Sequence, residues 1–116
     1  MDKKAEIAIK ALDSKKAVNI EARRIGDLTI LADHFIIATG TSSTHVRALA
    51  DEVEFKLHEA GFEPRQIEGY STGWILLDYS DVVVHVFSPE QRELYSLEKL
   101  WADAEVEDIS ELITED

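Results

Sequence analysis

Trp74-Ile-Leu-Leu-Asp78-Tyr-Ser-Asp81-Val-Val-Val-His85-Val-Phe87-Ser-Pro-Glu-Gln91-Arg-Glu-Leu-Tyr95-Ser-Leu-Glu-Lys-Leu-Trp101 is the run from which the fold follows. Two β-rich stretches, Trp74 to Asp78 and Val82 to Phe87, are separated by Tyr79-Ser80 or a slightly longer turn. That spacing predicts an antiparallel hairpin. Ser88 then offers a side-chain oxygen as N-cap, Pro89 stands at the first helical position, and Gln91 completes a capping box. Leu94, Leu97, Leu100 and Trp101 recur at three- and four-residue steps, which predicts a helix with one apolar stripe. His85 alternates with Val84 and Val86, so it faces the same side as Val83 and Phe87.

Upstream, His34-Phe-Ile-Ile-Ala38 is a continuous apolar run that suits a strand covered on both faces. Thr41-Ser-Ser-Thr44 supplies several N-cap candidates. The helix they open carries Val46, Leu49, Ala50, Val53 and Leu57 on one face and stops at Gly61, a favoured C′ residue. Asp2 to about Lys16 has apolar residues at helical spacing, and Val18 to Ala22 alternates as a short strand. Asp27 to Asp33 is apolar in its middle, Pro64 to Glu68 reads as a further short strand, and Gly69 to Gly73 as a loop. The order α, β, β, α, β, β, β, α predicts a mixed α/β domain with about five strands and helices packed on the sheet. The helix after Ala38 permits a parallel crossover.

The chain has 116 residues, enough for one domain with one core. It has no cysteine, so disulfides and thiol chemistry are excluded, and the expected setting is the cytoplasm. No apolar run reaches membrane-spanning length, and the charged start reads as neither signal nor transit peptide. The net charge is −12, of which seven negative charges lie after Ala102 with no base among them. Nucleic-acid affinity needs cations that displace counterions from phosphate, so little or no direct nucleic-acid binding is expected. A basic protein partner suits the charge better. The last residues, with Val106, Ile109, Leu112 and Ile113, should form an acidic amphipathic helix or fray.

No catalytic, cofactor or metal constellation stands out. There is no phosphate loop, no paired histidine spacing and no nucleophile elbow. Asp78 and Asp81 could hold magnesium in a nucleotidyltransferase-like enzyme, which is the alternative reading. Their odd spacing instead suits the two ends of a turn. Gly40-Thr-Ser-Ser43 resembles the Gly-Ser that opens nucleotidyltransferase sites, and helix capping explains it without catalysis. Arg92 and Tyr95 fall three apart and could share an exposed patch. Trp74 begins a strand after a glycine loop, a place where an aromatic anchor can be partly exposed. A sheet edge could also pair two copies of the chain as a homodimer.

Three segments carry a resemblance: Ala32-Asp-His-Phe-Ile-Ile-Ala-Thr-Gly-Thr-Ser-Ser43, Gly73-Trp74 through Phe87, and Leu94-Tyr-Ser-Leu-Glu-Lys-Leu-Trp101. On these the chain resembles the ribosomal silencing factor family, also called RsfS or Iojap-like proteins. The resemblance implies a nucleotidyltransferase-like fold without the catalytic acids, over residues 1–102, followed by an acidic tail at 103–116. It implies no enzyme activity and no cofactor. It implies binding to the protein numbered fourteenth in the large ribosomal subunit, obstruction of small-subunit joining, and reduced translation under nutrient limitation. The implied partner-binding residues are Trp74, Tyr79, Asp81, Tyr95 and Trp101. Three positions depart from the family's usual residues: His34 where Tyr is common, Thr44 where a base is common, and Ser80 where Gly is common. A left-handed backbone at Ser80 would cost about 1 kcal/mol.

Overall fold

The computed structural model describes residues 3–24, 33–69, 73–95 and 105–113. The apolar segment expected before Asp33, the middle of the Gly69–Gly73 loop, and Leu97, Leu100 and Trp101 lie outside the described residues. The elements are α1 (Lys3–Ser14), β1 (Val18–Arg24), β2 (His34–Thr39), α2 (Ser43–Glu59), β3 (Gln66–Glu68), β4 (Trp74–Asp78), β5 (Val82–Phe87), α3 (Pro89–Tyr95) and β6 (Glu105–Val106), then a 3-10 turn at Ser110–Leu112.

The strands form one mixed sheet in the order β3-β4-β5-β2-β1-β6. Among the described strands β2 and β5 run parallel and the other neighbours are antiparallel. A parallel pair cannot be joined by a tight turn. The chain therefore leaves β2 through α2 and the β3–β4 hairpin before it returns in β5. The mixed sheet of about five strands is as expected; among the described residues the tail adds a two-residue sixth, β6, at the outer edge of β1.

Helices α1 and α2 cover one face of the sheet. From α1 come Ala5, Ala8, Ile9, Ala11 and Leu12, and from α2 Val46, Leu49, Ala50, Val53 and Leu57. They meet Ala22, Ile36, Ala38, Ile75, Leu77, Val82, Val84 and Val86 in one aliphatic core. Alternation along each strand sends the remaining side chains to the opposite face. There Ile37 and Phe87 are buried with Trp74 packed on them, and Phe35 and His85 lie beside that group. The unbroken apolar run of β2 is explained by this double cover.

Local chemistry sets the element ends. Ser42 caps α2 by accepting the His45 N–H at 3.1 Å. At the other end Gly61 N–H donates to the His58 carbonyl and Phe62 N–H to the Leu57 carbonyl, at 3.0 and 2.8 Å. This paired closure requires a left-handed residue at C′, and Gly61 has φ 90°.

Several expectations are refined or overturned. The hairpin connection is the longer of the two expected, running from Tyr79 to Asp81 between β4 and β5. Tyr79 N–H donates to the Val82 carbonyl at 2.9 Å, which carries the ladder one residue further. Burial of Tyr79 drives that extension, since only 3% of its surface is exposed. Ser80 has φ 73°, and Asp81 N–H reaches the Tyr79 carbonyl across it at 3.0 Å, a tight γ-turn. The capping box of α3 is half made. Gln91 N–H donates to Ser88 Oγ at 3.3 Å, but Ser88 N–H is taken by the Gly73 carbonyl at 2.8 Å. Leu94, expected on a buried stripe, is 72% exposed, because Arg92 is the α3 side chain turned toward the sheet. Among its described residues, 105–113, the tail forms a two-residue strand and a 3-10 turn rather than an α-helix. Glu107 N–H donates to the Ala22 carbonyl at 2.9 Å, and Ile109, Leu112 and Ile113 pack against the core. Glu107 Oε1 also lies 2.6 Å from His34 Nδ1, close but poorly aligned for a hydrogen bond, so the contact is an ion pair when the imidazole is charged.

Candidate partner-binding site

Trp74 opens β4 on the face away from α1 and α2. It lies directly opposite Phe87 in the ladder, and the two rings stack with centroids 5.0 Å apart. One diagonal step along β5, His85 Nδ1 accepts the Trp74 indole N–H at 3.1 Å. Its chain neighbour Gly73 has φ 78° and holds Ser88 through the carbonyl just described. A Cβ at Gly73 would approach Ser88 Oγ to 3.2 Å and Gln91 Cγ to 3.3 Å, so a side chain there would be both strained and crowded. Trp74 is thus fixed by a stack, a hydrogen bond and a pinned backbone, while remaining partly exposed.

His85 is 4% exposed and rests edge-on against Phe35, with ring centroids 4.8 Å apart. Removal from water disfavours the charged imidazole and pushes its pKa down from 6.5 to about 4. The ring is therefore neutral at physiological pH. Because Nδ1 accepts, the proton belongs on Nε2, and Nε2 is buried without a hydrogen-bond partner. Among the described residues the buried ring is hydrogen-bonded at one nitrogen only.

The other candidates are distributed differently. Tyr79 is buried at the hairpin end, away from any partner's reach. Asp81 is partly exposed and paired with Lys4, whose ammonium also reaches the Tyr79 carbonyl at 3.3 Å. Asp78 is buried; Arg65 Nη2 donates to it at 3.0 Å and Ser80 N–H at 2.8 Å. These two carboxylates answer different cations, Asp78 at the end of β4 and Asp81 in the turn, and do not form a pair. Tyr95 ends the described part of α3, and nothing about its side chain is described. Trp101 lies outside the described residues. Arg92 does not join an exposed patch. Its Nη1 donates to the Asn19 carbonyl at 2.6 Å and to Thr39 Oγ1 at 2.9 Å, which clamps α3 to β1 and β2. Of the five residues named from sequence, the geometry brings Trp74 to a presented, rigid position and places Tyr79 and Asp81 together at the far end of the same hairpin.

The residue that sequence reasoning left aside is His85, as the acceptor for Trp74. The signal existed in the hairpin register: once Tyr79 and Val82 close the ladder, Trp74 falls opposite Phe87 and diagonal to His85. The alternation of β5 already placed His85 on the same face as Phe87.

The family model described as "Ribosomal silencing factor during starvation" matches residues 1–116, which includes the acidic end. A ribosomal silencing factor RsfS of Halalkalibacterium halodurans is 39% identical over 110 residues, covering 94% of each chain. A crystal structure of a Chromobacterium violaceum protein superposes with TM-score 0.85 at 40% identity, covering 88% of each chain. A mouse protein named for mitochondrial assembly of the ribosomal large subunit is 37% identical over 73 residues, covering 60% of this chain and 32% of that one. The bacterial relatives are named as silencing factors rather than as enzymes. With the family model spanning the whole sequence and relatives matched over nearly all of theirs, the chain belongs to the ribosomal silencing factor family.

Proposed function

We propose that the protein binds the large ribosomal subunit through its fourteenth-numbered protein, at the surface that meets the small subunit. Bound there, it blocks joining of the two subunits by occupying space and lowers translation when nutrients are limiting. The observation that carries this reading is Trp74: a partly exposed indole held rigid on the sheet face opposite the helices. Tryptophans in such positions are frequent anchors of protein interfaces, and a fixed ring loses little entropy on docking.

Charge supports a basic protein as the partner. At −12 the chain is attracted to a cationic surface and repelled by bare phosphate. Tyr95, Trp101 and Asp81 are further proposed contacts, Asp81 at the other end of the hairpin from Trp74, and Leu94 adds exposed apolar surface on α3. Steric obstruction needs a well-placed contact and no turnover, so the protein acts without catalysis, metal or cofactor. It works in the cytoplasm, where the subunits meet, and a homodimer would be a storage form of the free protein.

Two linked measurements test the reading. Trp74→Ala should remain folded and weaken co-sedimentation with isolated large subunits by about 2 kcal/mol or more. A subunit-joining assay should show inhibition by the natural protein and relief with the variant. Absence of large-subunit binding by the natural protein would end the proposal. Calorimetry with magnesium and a nucleotide panel addresses the enzymatic alternative, and a saturable heat there would revive it.

A further inference from the structure

We propose that His85 is a positioning residue for Trp74, selecting which edge of the indole is turned toward the partner. The inference rests on the reading of Trp74 as the partner anchor. Its basis is the bond from the Trp74 N–H to His85 Nδ1 at 3.1 Å.

Stacking alone does not define the indole. The Phe87 ring lies 5.0 Å away at an interplanar angle of 30°, which limits the tilt of Trp74. A half-turn about the second side-chain torsion of tryptophan keeps such a stack and exchanges the two edges of the ring. That torsion is broad and roughly two-fold, so packing discriminates weakly between the two states. A directed hydrogen bond discriminates strongly, because in the flipped state both the N–H and Nδ1 lose their partner. With the bond made, the pyrrole N–H faces inward to His85. The partner then meets the indole's carbon framework and π surface, and no donor. Such a surface suits the guanidinium or ammonium of a basic protein, or an apolar side chain.

The surroundings of His85 show that its role is narrower than filling the core. The ring is packed edge-on against Phe35 and parallel to Phe87, with interplanar angles of 72° and 8°. A phenylalanine would occupy the same space among these rings. It would also remove the buried Nε2–H, which has no hydrogen-bond partner. A buried unsatisfied donor is unfavourable, so histidine at this place is a poorer core residue than phenylalanine. What it adds is Nδ1, and Nδ1 is directed at Trp74.

The test separates positioning from stability. His85→Phe keeps the ring and deletes the acceptor. His85→Asn places an amide oxygen near the position of Nδ1. In protein labelled with nitrogen-15, the natural chain should show a scalar coupling across the hydrogen bond from Trp74 Nε1 to His85 Nδ1. H85F should melt at or above the natural temperature, show a shifted and broadened indole signal, and bind isolated large subunits about tenfold more weakly. H85N should recover most of that affinity. His85→Leu, which also lacks the acceptor, serves the same comparison if H85F does not fold. Natural affinity in H85F or H85L, with Trp74→Ala still defective, overturns the positioning role alone. Natural affinity in Trp74→Ala overturns the anchor and this inference together, and the coupling then records that the bond existed without that purpose. An indole signal typical of a solvent-exposed N–H in the natural chain overturns the inference at its first step.

Discussion

The two faces of the sheet are built from different materials. The face under α1 and α2 is mostly aliphatic: its strand residues Ile36, Ala38, Ile75, Leu77, Val84 and Val86 cluster with the helix side chains, with Tyr79 and Phe62 the aromatic members. The opposite face carries Phe35, Trp74, His85 and Phe87, with Arg92 bridging to Thr39 and Asn19. Aliphatic packing is non-directional and scales with the area removed from water. Ring stacking and hydrogen bonds contribute less per residue and fix orientation. The first face accounts for most of the stability. The second holds a few side chains in set attitudes, which is what a recognition surface needs.

The comparison breaks if damage to the aliphatic face alters binding by the folded molecules. Leu49→Ala is the sharpest way to try, because Leu49 is fully buried between α2 and the sheet. The lost packing and residual cavity should cost about 3–4 kcal/mol in urea unfolding. Large-subunit affinity, corrected for the folded fraction, should stay at the natural value.

Acid provides the next largest effect and locates it on the other face. His85 binds a proton at 6.5 in the unfolded chain and only at about 4 when folded. Above 6.5 both states are neutral, and the contribution is fully present. As pH falls from 6.5 toward 4, the unfolded chain takes up a proton that the folded chain refuses. Stability therefore declines across that window, by on the order of 3 kcal/mol, and the loss levels off below it. Unfolding free energies of the natural chain and H85F, measured in parallel from pH 7 to 4, isolate the term. The difference between them should drift in favour of H85F as the solution is acidified; parallel curves would show that this imidazole titrates normally.

The smallest effect lies at the hairpin end that joins the two faces. Ser80 adopts φ 73°, a conformation that glycine reaches without strain. Ser80→Gly should stabilise the fold by about 0.5–1 kcal/mol, relief of strain being partly offset by the greater freedom of the unfolded chain. A melting temperature raised by a few degrees with unchanged ribosome binding is the expected result. A lower melting temperature would mean that the serine side chain contributes more than its backbone strain removes.

Where sequence anticipated structure, one local signal was enough. Ser42 and Gly61 bound α2, and the spacing of Val46, Leu49, Ala50, Val53 and Leu57 identified the face it buries. The unbroken run in β2 foretold a strand with two covered faces. The misses share a different cause: each depended on a partner distant in the chain. Ser88 has every local mark of a capping box, yet its N–H is claimed by Gly73. The short strand β6 has no strand signal of its own length, and exists because β1 offers the Ala22 carbonyl and β2 offers His34. At the site, Trp74 was legible from its place at a strand start. Its dependence on His85 required the exact register of the hairpin.

That short edge strand has a consequence for how copies of the chain behave when crowded. A sheet ends in unpaired backbone groups that invite a second chain, and long flat edges lead to aggregation. Here one outer strand, β3, is three residues long and flanks its apolar Ile67 with the exposed polar side chains of Gln66 and Glu68. At the other side β6 covers β1 at Arg23 and Arg24, and the ladder is irregular between Val18 and Glu21. Within that irregular stretch the Asn19 carbonyl is occupied by Arg92. Among the described residues neither margin offers a long uninterrupted template, and the acidic segment, through β6, shortens the open edge of β1.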